Sequence, residues 1–451
     1  MADPQSLVPS LVPPTQPVAV PGLQSDVSVV SQGAPTLLGS AWPQFLAQNI
    51  TSPSYDTFGR IRVSEPFTLF NTVHQYDANP LYWDTIAVGA GAIASLHNDS
   101  AVQLSTSAAN GDSIKFQTHN YMRYQPGKSQ LIMLTAVLGS KTANVVRRAG
   151  FYDDNNGMFF EVTGSDMAVV RRTSTSGSPV DNRISQAQWN RDTLDGSHSA
   201  ANPSGFALDP SKMELMFIDF EWLGTGVVRW GFQLNGQTIV CHIDYHANIL
   251  NIPYTTTVNL PVRYELTNTG AAAGANTLLS VCSTVMTEGG QQQEGTPFGI
   301  STGTVTKAVA GPLIPILSIR PALTFNGIVN RALVNMAEMS IMGDAPLSFD
   351  IWLNGALTNA AFAAVDANSV VQFDTGATAI VGGTHLFSGL LSVSGTGNNK
   401  SGINTEQLML GRKLLSLNAA GNAGDILTIT ASKIASNATA VSANFNWVEY
   451  R

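Results

Sequence analysis

The stretch Phe217-Ile218-Asp219-Phe220-Glu221-Trp222-Leu223-Gly224-Thr225-Gly226-Val227-Val228-Arg229-Trp230-Gly231-Phe232-Gln233-Leu234-Asn235-Gly236, continuing from Gln237 to His246, decides the fold class. Phe217, Asp219, Glu221 and Leu223 alternate with Ile218, Phe220 and Trp222, the period of two that marks a strand. Gly224-Thr225-Gly226 turns the chain into a second run from Val227. That run stops at Asn235-Gly236, the dipeptide most ready to take the two positive φ values of a type I′ hairpin turn. A third strand follows from Gln237 to His242. Three strands joined by turns too short to hold a helix make an antiparallel meander, because parallel pairing needs a crossover of a dozen or more residues.

Working outward, residues 55–290 keep the same texture, short alternating segments with turn residues every eight to twelve positions. Strands are predicted over 114–118, 130–137, 167–172, 180–184, 260–266 and 277–287, with a hairpin over 149–162 closed at Asn156-Gly157. A brief helix is expected where Ser185 and Gln188 form a capping box before Trp189. About twelve strands in one domain of about 230 residues suit a jelly-roll-like antiparallel β-sandwich. Residues 291–312, rich in Gly, Gln and other small residues, read as a linker. Residues 313–451 then form a smaller β-sandwich domain, with strands over 313–319, 347–353, 370–373, 386–393, 426–430 and 441–448 and a second turn at Asn354-Gly355. The stretch 330–342 reads equally as helix or strand.

Residues 1–54 are a different material, with nine of the 22 prolines, two charged residues (Asp3 and Asp26) and no Lys or Arg before Arg60. Proline fixes φ and removes a ladder donor, so an extended Pro-rich N-terminal arm lying along another subunit is expected rather than a helix or central strand, a disordered linker being the alternative. Its Leu37, Leu38, Trp42 and Phe45 are apolar residues with no core of their own, and they are the expected assembly contacts.

Charged residues make up 12% of the chain, about half of the roughly 25% usual in soluble domains. A surface low in charge is cheap to desolvate and favours permanent interfaces. A net charge of −8 and a pI near 5.3 argue against nucleic acid as a partner. No run approaches eighteen uninterrupted apolar residues and no basic region precedes an apolar core, so neither membrane insertion nor a secretory signal is expected. The two cysteines, Cys241 and Cys282, lie in strand-like runs and read as free thiols, a disulfide being the alternative.

The sharpest chemical constellation is His242, Asp244 and His246, which a period of two places on one strand face. Two imidazoles and a carboxylate suit zinc or iron, but a polar sheet face or subunit contact is the plainer reading, and no metal or other cofactor is expected. Asp153-Asp154-Asn155-Asn156-Gly157 imitates a calcium loop, yet that register puts Tyr152 and Thr163 at ligand positions, so a hairpin turn is expected instead. Gly89-Ala90-Gly91-Ala92-Ile93-Ala94 matches a dinucleotide fingerprint without the βαβ unit its mechanism requires. Glu161, Glu221 and Glu265 are strand carboxylates of the kind a glycosidase pair uses, and solvated strand faces explain them more simply. No catalytic residue is assigned, and the chain reads as a non-enzyme.

From Tyr55-Asp56-Thr57-Phe58-Gly59-Arg60-Ile61-Arg62-Val63-Ser64 onward the sequence resembles structural proteins of tailed bacteriophages, especially those infecting cyanobacteria. Similar phrases stand at Tyr124-Gln125-Pro126-Gly127-Lys128-Ser129, Trp189-Asn190 with Leu194-Asp195-Gly196, Trp222-Leu223-Gly224, Leu260-Pro261-Val262-Arg263-Tyr264-Glu265 with Asn268-Thr269-Gly270, and Phe445-Asn446-Trp447. The resemblance implies a non-enzymatic virion component assembled in the host cytoplasm: a fibre, tail or neck appendage subunit, or a capsid decoration. It supplies no catalytic residues. Its expected partners are itself, as a homotrimer by analogy with phage appendages, and other virion proteins. A competing class is a receptor-recognition protein or depolymerase acting on host-surface glycan, in which Trp83, Trp230 and Trp352 are exposed platforms for sugars.

Overall fold

The computed structural model describes residues 66–292, 294–304, 306–391, 401–406, 413–434 and 438–451. The arm, with Leu37, Leu38, Trp42 and Phe45, lies outside the described residues. The structure is almost wholly antiparallel β. In chain order the first strands are β1 (Phe67–Val73), β2 (Trp83–Val88), β3 (Ala92–Leu96), β4 (Ala101–Thr106), β5 (Ser113–Thr118), β6 (Gln130–Val137), β7 (Val145–Tyr152) and β8 (Gly157–Val162). They continue as β9 (Met167–Thr173), β10 (Val180–Ser185), β11 (Glu214–Phe220), β12 (Val228–Leu234), β13 (Gln237–Asp244), β14 (Val262–Asn268) and β15 (Asn276–Thr287). An eight-stranded sheet runs β13-β12-β11-β6-β15-β4-β3, with β1 also on β15, and a seven-stranded sheet runs β10-β9-β8-β7-β14-β5-β2.

Period-two alternation builds the core between these sheets. Ile132, Leu134, Met216, Ile218, Phe220 and Trp230 come from the eight-stranded sheet, and Phe151, Met158, Phe160, Val262, Tyr264 and Phe116 from the other. The meander forms as read, with Asn235 at φ 50° and Gly236 at φ 80° closing β12 onto β13. Its first strand, however, ends at Phe220, because Glu221 closes the next turn: its Oε1 accepts from Val227 N at 2.9 Å. The alternation of β11 also hides a second buried face, since Phe217 and Asp219 are as buried as Ile218 and Phe220.

The helix expected after Ser185 is a single 3₁₀ turn, Gln186–Gln188. The Ser185 hydroxyl donates to Gln188 Oε1 at 3.0 Å rather than accepting a backbone N–H, so no capping box forms. The turn 153–156 is a hairpin end, Asp153 Oδ1 accepting from Asn155 N and Asn156 N, both at 2.8 Å. The Gly89–Ala94 loop joins β2 to β3, held by Ala90 N donating to Asp112 Oδ1 at 3.0 Å.

The later strands are β16 (Thr296–Ser301), β17 (Lys307–Val309), β18 (Ile314–Pro321), β19 (Thr324–Phe325), β20 (Ile328–Val329), β21 (Leu333–Gly343), β22 (Leu347–Leu353) and β23 (Ala356–Thr358). They end with β24 (Ala363–Ala364), β25 (Val371–Asp374), β26 (Ala379–Val381), β27 (Thr384–Leu391), β28 (Ser401–Glu406), β29 (Leu427–Lys433) and β30 (Thr439–Tyr450). A five-stranded sheet, β16-β30-β21-β28 with β17 on β30, faces a six-stranded sheet, β24-β25-β18-β29-β22-β27. The ambiguous stretch 330–342 is therefore strand, and β16 and β17 bring part of the presumed linker into a sheet. Asn354, at φ 59°, ends β22 as read, yet no hairpin follows: β22 pairs with β27 and β29, whereas β23 pairs with β26. A second core gathers Leu317, Ile319, Ile341, Phe349, Ile351, Ile429, Phe445 and Trp447.

Residues 413–419 stitch the two sandwiches together. Lys413 Nζ donates to Leu81 O at 2.8 Å, Ser416 Oγ to Asn120 Oδ1 at 3.3 Å and Ala419 N to Asp84 Oδ2 at 2.6 Å. Arg331 lies 4.3 Å over the Tyr121 ring beside them.

Candidate functional site

The outward face of the seven-stranded sheet carries a cluster of paired charges. Register places Ala168, Glu161, Arg148, Glu265 and Lys115 opposite one another across β9, β8, β7, β14 and β5. Arg148 bridges its two neighbours, Nε 2.8 Å from Glu161 Oε2 and Nη1 3.3 Å from Glu265 Oε1. Arg183 Nε is 2.7 Å from the other oxygen of Glu161, and its Nη2 is 2.6 Å from Asp166. Arg172 Nε pairs with Asp181 at 2.7 Å, while Asp154 takes Arg263 at 2.6 Å and Lys115 at 2.7 Å. Beneath these groups Tyr152 and Phe159 pack with centroids 4.3 Å apart, and the guanidinium groups of Arg148, Arg172 and Arg263 lie over their rings at 5.2 to 5.8 Å.

The electrostatics follow from that geometry. Burial pushes the Asp154 carboxyl up, but Arg263 and Lys115 more than reverse it and hold it well below the usual range. Burial likewise works against the Arg148 charge, and Glu265, Tyr152 and Glu161 offset it, so its pKa is raised. Burial raises the Tyr152 phenol well above its ordinary value, and Glu265 adds to the rise. The three strand carboxylates expected to be solvated are not: Glu161, Glu221 and Glu265 are 5%, 7% and 7% exposed. Glu161 and Glu265 are committed to arginines, because a buried carboxylate that lacks such a partner is costly. A catalytic pair needs oxygens free for a substrate, and those of Glu161 and Glu265 pair with Arg148 and Arg183.

His242, Asp244 and His246 do not converge as a metal triplet. β13 ends at Asp244, and His242 turns to partners apart from the Asp244–His246 pair. Asn190 N donates to His242 Nδ1 at 3.3 Å, Arg171 Nε to Asp244 Oδ2 at 2.7 Å, and His246 Nδ1 meets Gly226 O. His246 Nε2 is 3.0 Å from Asp244 Oδ2, and its ring stacks on Tyr254 at 4.1 Å. Burial lowers the His242 pKa; it raises that of Asp244, but His246 and Arg171 bring the carboxyl down to about 2. Among the described residues no group of three or more His, Cys, Asp and Glu is placed to hold a metal ion. His246 instead ties the loop after β13 to the 221–227 turn, while His242 and Asp244 meet Asn190 and Arg171. Cys241 is buried and Cys282 half-buried, and both are free thiols.

The proposed sugar platforms are corrected by burial. Trp83 and Trp230, 3% and 1% exposed, belong to the first core, with Trp83 stacked on Phe116 at 4.4 Å. Trp230 faces inward because it stands opposite Ile218. Trp352 is half-buried and stacks on the exposed His385 at 4.7 Å, whose Nε2 is 3.0 Å from Asp350.

The charged face was missed in the sequence although its signal was present: Arg148, Gly150 and Tyr152 alternate on β7, as do Phe159 and Glu161 on β8.

No family model matches this chain, and no curated protein matches it. Solved structures resemble parts of this chain at low TM-scores. The apo form of the Crh5 transglycosylase is 13% identical over 51% of this chain and 91% of its own, with a TM-score of 0.31. A legume lectin-like domain from Entamoeba histolytica is 9% identical, covering 48% and 96%, with a TM-score of 0.29. A glycosyl hydrolase family protein from Mycobacterium fortuitum is 12% identical, covering 48% and 99%, with a TM-score of 0.32.

Proposed function

We propose that this chain is a non-enzymatic structural subunit of a tailed-phage virion, a homotrimer in a fibre, tail or neck appendage anchored by residues 1–54. Capsid decoration is the alternative within the same class. The virion part rests on the sequence phrases quoted above, and the observation that supports assembly is how the surface divides its chemistry. The charges of the seven-stranded sheet pair with one another, while Leu223, Tyr245, Ile249, Leu250 and Ile252 stand exposed on adjoining loops. Those loops are tied together by Tyr254 N donating to Gly224 O and Tyr254 Oη donating to Glu221 O, both at 2.9 Å. An apolar set held this firmly is presented rather than frayed, and covering each side chain would contribute about 1.5 to 3 kcal/mol before ordering costs.

Light scattering on the purified chain tests the reading: a trimer is expected, and Ile249→Asp with Ile252→Asp should give monomers that keep their circular dichroism. A monomer at all concentrations would overturn it. In particles, deletion of residues 1–54 should abolish incorporation. Normal incorporation of the deleted form would move the attachment to the β domains. Of the three tryptophans suggested for glycan stacking, Trp352 alone remains at the surface, and loss of glycan-array binding in Trp352→Ala with assembly intact would favour the carbohydrate class.

A further inference from the structure

Asn-Gly pairs stand at 110–111, 156–157, 235–236, 326–327 and 354–355. The pair is intrinsically reactive, because the glycine amide nitrogen, with no Cβ beside it, can attack the side-chain carbonyl carbon of the Asn before it. Folding decides which pairs react. The Asn amide must be free to turn, the glycine N–H must be free of an acceptor, and the Asn backbone must leave its turn geometry for the ring to close.

Three pairs are blocked. Asn156 is 3% exposed, and its Oδ1 accepts from Ser174 N at 3.3 Å and from Thr256 N at 3.1 Å. Asn354 is held at both ends of its amide, Nδ2 donating to Asp425 Oδ1 at 2.9 Å and Oδ1 accepting from Ile426 N at 2.8 Å. Asn110 is exposed, but Gly111 N donates to Asn268 O at 3.0 Å. Asn235 and Asn326 are exposed too, and neither side chain hydrogen-bonds to a described residue. Their ladders close at Leu234 opposite Gln237 and at Phe325 opposite Ile328, which leaves Gly236 N and Gly327 N outside the pairing.

These two hairpins are unequal. Asn235 caps β12 and β13, which pair along the whole of β12 within the eight-stranded sheet. Asn326 caps β19 and β20, two residues each and a sheet of their own. An isolated two-stranded hairpin is marginal in water. Ile328 and Val329 on its second strand are 71% and 50% exposed, so little packing holds it closed and local opening comes easily.

We propose that Asn326 is a site of spontaneous deamidation, the first residue at which this chain ages, with Asn235 a slower second. Gly327 N gives its proton to solvent base and bonds to Asn326 Cγ, and the side-chain nitrogen leaves as ammonia, closing a succinimide ring. Water then opens the ring at either carbonyl and leaves aspartate or isoaspartate at position 326, with no change of oxidation state. Both products add a negative charge beside the exposed Ile328 in a chain whose residues are only 12% charged. Isoaspartate also puts a methylene into the main chain, which breaks the short pairing of β19 with β20. None of this depends on whether the chain belongs to a virion.

Peptide mapping by mass spectrometry tests the assignment on the full chain held in mildly alkaline buffer and sampled over time, with isoaspartate read by methyltransferase labelling. Position 326 should convert about tenfold or more faster than positions 156 and 354, because each of those side chains must first give up two hydrogen bonds. Position 235 should fall between them. In urea all the pairs should convert at similar rates, since only their common chemistry then acts. A folded chain in which position 326 converts no faster than 156 and 354, or in which 235 outruns 326, would overturn the proposal. So would a preference for 326 that persists in urea, which would trace it to neighbouring residues and not to the fold.

Discussion

The outward face of the seven-stranded sheet and the interior of the second sandwich both satisfy buried polar groups, and they do so with opposite chemistry. The first pairs five cations, Lys115, Arg148, Arg172, Arg183 and Arg263, with five carboxylates over two aromatic rings. The second uses neutral ladders: Ser318 and Thr428 share a hydrogen bond of 2.9 Å, and Thr430 Oγ1 donates to Asp350 O at 3.3 Å. Its buried carboxylate Glu449 is held largely by neutral donors, Ser369 Oγ at 2.6 Å and Trp447 Nε1 at 3.1 Å, beside Arg451. The contrast teaches where this charge-poor chain is vulnerable. Removing one partner of a buried ion pair strands the other, whereas a neutral ladder loses one modest bond at a time.

The largest break in the comparison should come from Arg148→Met. It removes the cation shared by Glu161 and Glu265 and leaves Glu161 with Arg183 alone, and urea unfolding should show a loss of about 3 to 5 kcal/mol. A loss under about 1 kcal/mol would mean that Arg183 and Arg263 carry the face unaided. Acid should act next, and on the same side. Arg183 lowers the pKa of Asp166, cationic partners outweigh burial for Asp154 and Asp181, and His246 with Arg171 does so for Asp244. Carboxyls with lowered folded-state pKa values stabilise the fold above their ordinary value of 3.8 and lose that contribution as pH falls through the folded values, about 2 for Asp244. Hydrogen exchange between pH 4 and 2 should therefore accelerate in β7–β9 before β21 and β30, and simultaneous acceleration would erase the distinction.

Ser318→Ala, on the neutral side, should cost about 1 kcal/mol at any pH in that range. A cost equal to that of Arg148→Met would show that the two chemistries are not different in kind. The smallest effect is expected at Glu214, whose pKa burial and Asp209 raise to about 7. A carboxyl raised in the folded state opposes folding once ionised, so stability declines as pH rises from 4.5 through 7. Glu214→Gln should raise the melting temperature slightly at pH 8 and leave it unchanged at pH 4.5. Because the side chain is half-exposed, solvent screening limits the gain to less than about 1 kcal/mol.

Much of the architecture was legible because it rests on local rules. Alternation and the Asn235-Gly236 turn gave the meander, and the turn at Asn156-Gly157 gave a hairpin that needs nothing beyond its own residues. The four strands from Phe67 to Thr106 were not read. β1 and β4 pair at long range with β15, and the local β3–β4 pair carries no hairpin signal of comparable strength. The inward turn of Trp83 and Trp230 was equally invisible, since period two says that a residue faces one side without saying which side is covered. The stitch of Lys413, Ser416 and Ala419 onto Leu81, Asn120 and Asp84 joins two sandwiches, a tertiary fact with no signature in spacing.

The placement of β14 and β15 has a kinetic consequence. β14 lies between β5 and β7, and β15 lies between β6 on one edge and β4 with β1 on the other, so Phe67 waits for Thr287 and Val73 for Cys282. Until residues 262–287 arrive, β7 to β10 and β6 with β11 to β13 exist as separate half-sheets, each with an open edge. Contacts so distant in sequence fold slowly, and unpaired edges invite association while they wait. During synthesis the first sandwich is thus held open over most of its own length, then closed from both sides by one adjacent pair of strands.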